Sequence, residues 1–326
     1  MRIRFLTPVA VASILSGSAL VLAVAMPVPN NGATDPPFLI LDGHAGAVYT
    51  IAFNRTGMLI ASGGEDCTVR VADTKTGKTT AVLAHHRRAV NHVAFLSDNQ
   101  LLSNDKYNVY VTDIETLHLV GQITPPGTVR FSRIAISPDN KLFASISFSD
   151  GIIALWDIKQ SKLKSSFGEN AEWSQSLAFS PDGKLVAWGG QNGSICIWDV
   201  QLQKKTTTLP GHVESVTSLV FSKDGKTLIS ASTDHSVAIW NLERKHLVKR
   251  FVAHTDWVLS VMVSNDDSQL LTRGGEIVTT WKLASGERIA NFRADSKLVL
   301  CMAIDSKSTM LAAGGMDKQI RIWLLK

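Results

Sequence analysis

The chain has 326 residues, 45% of them apolar and 19% charged, with a formal net charge of +5. That balance suits a chain that buries a large core and excludes an intrinsically disordered one. Basic residues gather only in short runs such as Arg87-Arg88 and Lys204-Lys205, so no nucleic-acid surface is expected, and three cysteines (Cys67, Cys196, Cys301) make no disulfide framework.

In chain order, the first element is a leader. Arg2 and Arg4 precede a stretch with no charge until Asp35, and Leu6 to Ala25 is rich in Val, Ala, Leu and Ile. Residues 1–25 read as a signal peptide, with Ala23-Val24-Ala25 supplying the small residues that cleavage needs, or as an uncleaved signal anchor. Pro8, Gly17, Pro27 and Pro29 interrupt any buried helix there. Both readings predict an exported domain, periplasmic, secreted or membrane-anchored outside the cytoplasm, with membrane contact only through this segment. Three unpaired thiols weigh slightly against export. Residues 26–37 form a linker.

From Phe38 onward one unit recurs. Five short apolar stretches carry tryptophan: IALWD (Trp156), ICIWD (Trp198), VAIWN (Trp240), VTTWK (Trp281) and IRIWL (Trp323). Two degenerate copies precede them, VRVAD with Ala72 and VYVTD with Val111. Successive anchors lie 39, 45, 42, 42, 41 and 42 residues apart, which marks a repeat array. Six residues before each anchor stands a turn former: Asp66, Asp105, Asp150, Asn192, Asp234, Gly275 and Asp317. Another turn follows the first strand of every unit, as in ISPDN, FSPDG and FSKDG, and the intervening residues alternate or run apolar with β-branched types. Each unit is predicted to form four short antiparallel strands.

This pattern, Gly-His, then Asp, then Trp-Asp, returning near every 42 residues, resembles the WD40-repeat family over residues 38–326. The resemblance implies an all-β fold, a seven-bladed β-propeller with four antiparallel strands per blade. The last repeat ends on a third strand, Arg321 to Leu324, while Phe38 to Leu41 is a spare strand. Pairing the two completes the last blade and leaves no edge open.

Several histidines open a repeat: His44, His212 and His254, with His85 or His86 in the second. As chemistry they would be metal or catalytic imidazoles. The resemblance implies instead a structural brace in which His bonds the turn Asp and, through a strand Ser or Thr, the Trp. Only the fifth blade has every member, His212, Ser230, Asp234 and Trp240; the first has His44, Ser62 and Asp66 without the Trp. Such a Ser–His–Asp set has the composition of a hydrolase triad, but no nucleophile-elbow motif accompanies it. P-loop, dinucleotide, metalloprotease and zinc spacings are also absent, so no enzyme activity, metal or cofactor is expected.

The resemblance places partner contacts where the first strand of each blade opens, at the channel mouth: Ala47, Ala89, Arg130, Trp173, Ser215, Trp257 and Leu298. Arg130, Trp173 and Trp257 are the candidate anchors, with Glu172 and Asp256 preceding the two tryptophans. The competing reading is that those tryptophans plug the channel or pack on a neighbouring blade. A second ring, from Glu65 to Met316, is mostly polar. The function expected is a non-enzymatic scaffold for a protein or peptide partner, or a permanent subunit of an assembly. The alternative is a small-ligand-binding or metal-dependent propeller enzyme, disfavoured because the seven mouth positions hold no carboxylate or His.

Overall fold

The computed structural model describes residues 36–125, 130–147, 151–167, 174–293 and 298–325. The leader, most of the linker, and Asp150, Glu172 and Trp173 lie outside the described residues. Every regular element that is described is a β-strand. After β1 (Leu39–Leu41) the first blade runs β2 (Val48–Phe53), β3 (Leu59–Gly64), β4 (Val69–Asp73) and β5 (Thr79–Leu83), hydrogen-bonded in that order. Five further sheets repeat it, opening on His92–Phe95, Phe131–Ile136, Ser176–Phe179, Val216–Phe221 and Ser260–Val263.

The seventh sheet is assembled from both ends of the described chain. Val299–Ile304, Met310–Gly315 and Ile320–Leu324 supply three strands, and β1 pairs antiparallel with the last, Leu39 opposite Ile322 and Leu41 opposite Ile320. The Phe38 amide adds a bond to the Ile322 carbonyl at 2.7 Å. The ring is therefore closed by the strand expected to close it.

Burial follows from the stacking of blades. Second strands such as β3 are buried on both faces, whereas the outermost β5 alternates between solvent and core. The core is divided among the seams: each of the seven apolar clusters draws its residues from two adjacent blades. Ile146 and Ile153 of blade 3, for example, meet Val186 and Trp188 of blade 4.

The turns after the first strands explain their Ser-x-Asp spelling. The Ser137, Ser180, Ser222 and Ser264 hydroxyls each donate to the Asp two residues on, at 2.6 to 2.7 Å. The residue after that Asp then takes positive φ, as at Asn140 (57°), Gly183 (71°) and Gly225 (69°), which Asn and Gly tolerate.

One anchor is corrected by register. Trp156 faces Phe143 and Ala72 faces Ile60, but in blade 2 the residue facing the equivalent Leu101 is Thr112, not Val111. The reason is one extra residue in the turn: Lys106, Tyr107 and Asn108 separate Asp105 from Val109, where only Cys67 and Thr68 separate Asp66 from Val69. Asp105 is thus seven residues before its anchor, and the first two spacings become 40 and 44.

Candidate functional site

The polar braces differ from blade to blade. In blade 5 the His212 Nδ1–H donates to Asp234 at 2.9 Å, and the Ser230 hydroxyl lies 2.7 Å from Nε2 while accepting the Trp240 indole N–H at 2.8 Å. Blade 1 makes the first two links, His44 to Asp66 at 2.9 Å and to Ser62 at 2.8 Å. Blade 2 uses His86, not His85, with Asp105 at 3.2 Å and Ser103 at 2.8 Å. Blade 6 keeps His254, Thr272 and Trp281, both bonds 2.8 Å, but has Gly275 where the Asp would stand. In blade 4 Trp188 occupies the hydroxyl's position, and the Trp198 indole nitrogen is buried without a partner among the described residues.

Burial and hydrogen bonding shift these groups from their ordinary values. Burial works to raise Asp234, but the His212 imidazole and the Ser236 hydroxyl and amide hold it well below the usual carboxylate range. Asp66 and Asp105 are lowered in the same manner against burial, by backbone N–H groups and their histidines. Burial pushes His254 down to about 4, so it is a neutral imidazole. In each Ser–His–Asp set the serine is buried: Ser62, Ser103 and Ser230 are 3%, 1% and 0% exposed.

At the mouth, six of the seven positions opening a blade are described, and of these only Trp257 is exposed, at 55%. Its amide is held by the Asp256 carboxylate at 2.8 Å. Val213 and Met316, on the blades to either side, are also exposed. Elsewhere on the rim, Tyr107 lies between two guanidinium groups, Arg88 at 4.8 Å and Arg130 at 5.7 Å from the ring centroid. The extra residue in the blade 2 turn is what carries Tyr107 there.

Sequence reasoning missed the channel wall one layer below the mouth. The described residues around a cavity of about 300 Å³ include His92, Arg133 and Arg273 and no carboxylate. His92 and Arg133 belong to first strands, three residues past the mouth ring, and Arg273 to a second strand. The available signal was the aligned second strands, where Arg273 takes a slot filled by Gly63, Gly189, Ala231 and Gly314 in four blades and by Asn104 and Ile146 in blades 2 and 3.

Comparison with known proteins agrees with this architecture. Residues 132–313, more than half the chain, match the family model described as the Vps8 beta-propeller, and residues 36–73 match the WD domain, G-beta repeat. The chain is 30% identical over 148 residues to autophagy-related protein 16 of Arabidopsis thaliana, covering 44% of this chain and 29% of that protein. It is 31% identical over 125 residues to the COMPASS component SWD3 of Saccharomyces cerevisiae, covering 35% and 39%. Against the target of rapamycin complex subunit LST8 of Bos taurus it is 24% identical over 168 residues, covering 48% and 51%. The matched stretch thus spans about half, or less, of the length of these relatives. With seven four-stranded sheets in a closed ring and these matches, the chain belongs to the WD-repeat β-propeller family.

Proposed function

We propose that the ring is a non-enzymatic scaffold that holds a protein or peptide partner on its channel-mouth face. The observation that carries this reading is Trp257, a large aromatic left 55% exposed on a rigid rim. An aromatic held by a stiff backbone gives up little entropy on binding and is the usual anchor of an interface. Val213 and Met316, exposed on the neighbouring blades, offer further apolar contact, and Asp256 lies beside it. Arg130, steadied over Tyr107, offers a planar cation for a carboxylate or carbonyl of the partner. Glu172 and Trp173 belong to the same proposed surface. Two relatives are named as a component and a subunit of complexes, in keeping with a scaffold role.

The test is quantitative co-purification of the full chain and its Trp257→Ala variant from the native cell. The variant is expected to retain at least tenfold less partner, the loss of one buried aromatic anchor, with an unchanged melting transition. Equal retention by a folded variant would rule out this face. The leader is proposed to export the ring. N-terminal sequencing of the cell-made chain checks this: a start at Met26 supports cleavage, and recovery of intact chain in the cytosol overturns export.

A further inference from the structure

The channel wall is built by seven equivalent positions, and most of them are small. Thr50, Ser176, Ser218, Ser260 and Cys301 stand where His92 and Arg133 stand in blades 2 and 3. The small ones serve the ring itself: Thr50 Oγ1 accepts the Val93 amide at 3.1 Å and Ser218 Oγ accepts the Val261 amide at 3.2 Å. Arg133 instead sends its side chain across the channel wall, where Nε donates to the Gln175 carbonyl at 2.9 Å, and the residue remains exposed.

Arg273 is the more telling residue. Its slot lies against the start of the next blade and is tight where it holds glycine, since a Cβ on Gly63 would fall 2.5 Å from Val90 and one on Gly189 2.4 Å from Val216, while blades 2 and 3 place Asn104 and Ile146 there. Arg273 reaches Val299, with one guanidinium nitrogen bonded to its carbonyl, and lines the channel cavity. The residue is 92% buried, since its relative exposure is 8%, and its Nε–H has no partner among the described residues.

Two guanidinium groups thus face one cavity of about 300 Å³, and its described lining offers no Asp or Glu. Neither arginine has a carboxylate partner among the described residues. Arg133 weakens the proton affinity of Arg273, whose burial brings it down to about 10. Cys301 cannot serve as counterion, because burial pushes its thiol up to about 12. His92 is neutral, lowered by burial to about 4, and Tyr49, Asn91 and Gln175 add polar groups around the same space. Uncompensated charge in a confined site is unfavourable unless an opposite charge enters it.

We infer that the central channel binds a small oxyanion carrying two or more charges, of the phosphate or dicarboxylate class, between Arg133 and Arg273. The inference does not rest on the scaffold reading, since it uses the channel and not the rim. Guanidinium forks suit phosphate and carboxylate oxygens, and approach from opposite walls of the ring favours a compact anion over a single side-chain carboxylate.

The test is isothermal titration of the full chain, in chloride buffer at constant ionic strength, with inorganic phosphate and separately with malonate. One saturable site per ring is expected with at least one of the two anions, and which one binds identifies the source class. Arg273→Ala, which copies the Ala231 of blade 5, and Arg133→Gln are each expected to weaken that binding tenfold or more, while Trp257→Ala leaves it unchanged. Arg133 lies open to the channel, so Arg133→Gln carries the test if Arg273→Ala does not fold. Absence of a saturable site for both anions, or full affinity in both arginine variants, would overturn the inference.

Discussion

Replacing His212 by Ala is expected to destabilise the ring more than replacing His254 by Ala. Both histidines are buried, at 5% and 8% exposure, and each is bonded to a hydroxyl that also receives a Trp indole. The cavity left by the ring and the lost hydroxyl bond therefore nearly cancel between the two variants. What differs is the second nitrogen. His212 Nδ1 meets the Asp234 carboxylate at 2.9 Å, whose side chain is 6% exposed, whereas His254 has Gly275 in that place. A hydrogen bond to a buried charge contributes about 1.5 to 3 kcal/mol. Asp234 keeps the Ser236 amide and hydroxyl, so about 2 kcal/mol is the reasonable share. For a ring of this size that corresponds to a difference of roughly 3 °C in melting midpoint. Thermal unfolding followed by circular dichroism at pH 7.5, at one scan rate for both variants, reads it directly. Equal midpoints, or a lower one for His254→Ala, would refute the assignment of strength to the Asp–His link.

Other outcomes follow from the same packing. Burial holds His254 near 4 in the folded ring, against an ordinary value near 6.5 in the unfolded chain, so the unfolded state takes up the proton first. Stability contributed by the neutral imidazole is full above pH 6.5 and falls by about 3 kcal/mol as the pH drops to 4; His254→Gln should flatten the urea midpoint across that window. Asp66, Asp105 and Asp234, which are lowered, act in a separate window, where stability is lost as the pH falls below the carboxylate range. Two glycines should behave oppositely. A Cβ on Gly64 would lie 2.1 Å from the Ala47 carbonyl oxygen, so Gly64→Ala should cost about 3 kcal/mol or more; on Gly121 the nearest atom is 3.6 Å away, and Gly121→Ala should be neutral or mildly stabilising by denaturant titration.

The blade count and the ring closure were legible because they depend on recurring spacings that any strand-forming sequence must show. Trp156, Trp198, Trp240, Trp281 and Trp323 each return to one register position, and the turn Asp travels with most of them. Blade 2 was misplaced by one residue because its turn holds Tyr107 as an insertion, and a count from Asp105 has no means of seeing an added residue. The choice between His85 and His86 was likewise open, as both carry the same chemistry and only the direction of the backbone decides which enters the seam. Arg273 was passed over since an arginine in a second strand reads as a surface residue; its meaning depends on the neighbours of Gly63 and Gly189, which are cross-blade contacts. The exposure of Trp257 is of that same kind, set by what stands beside it in space.

The strand β1 also has a consequence for how the molecule is made. It is among the earliest strands synthesised and pairs with the last, and the Asp42–Gln319 bond beside that seam spans 277 residues. Contacts of such sequence separation form slowly, so six blades can assemble while the seventh still lacks its outer strand. During that interval an unpaired edge and the apolar seam of Leu41, Val48 and Ile322 stand open. A neighbouring chain's β1 fits this edge as well as the chain's own. Refolding at high concentration should therefore yield strand-exchanged dimers, while dilution or slow synthesis favours the single ring.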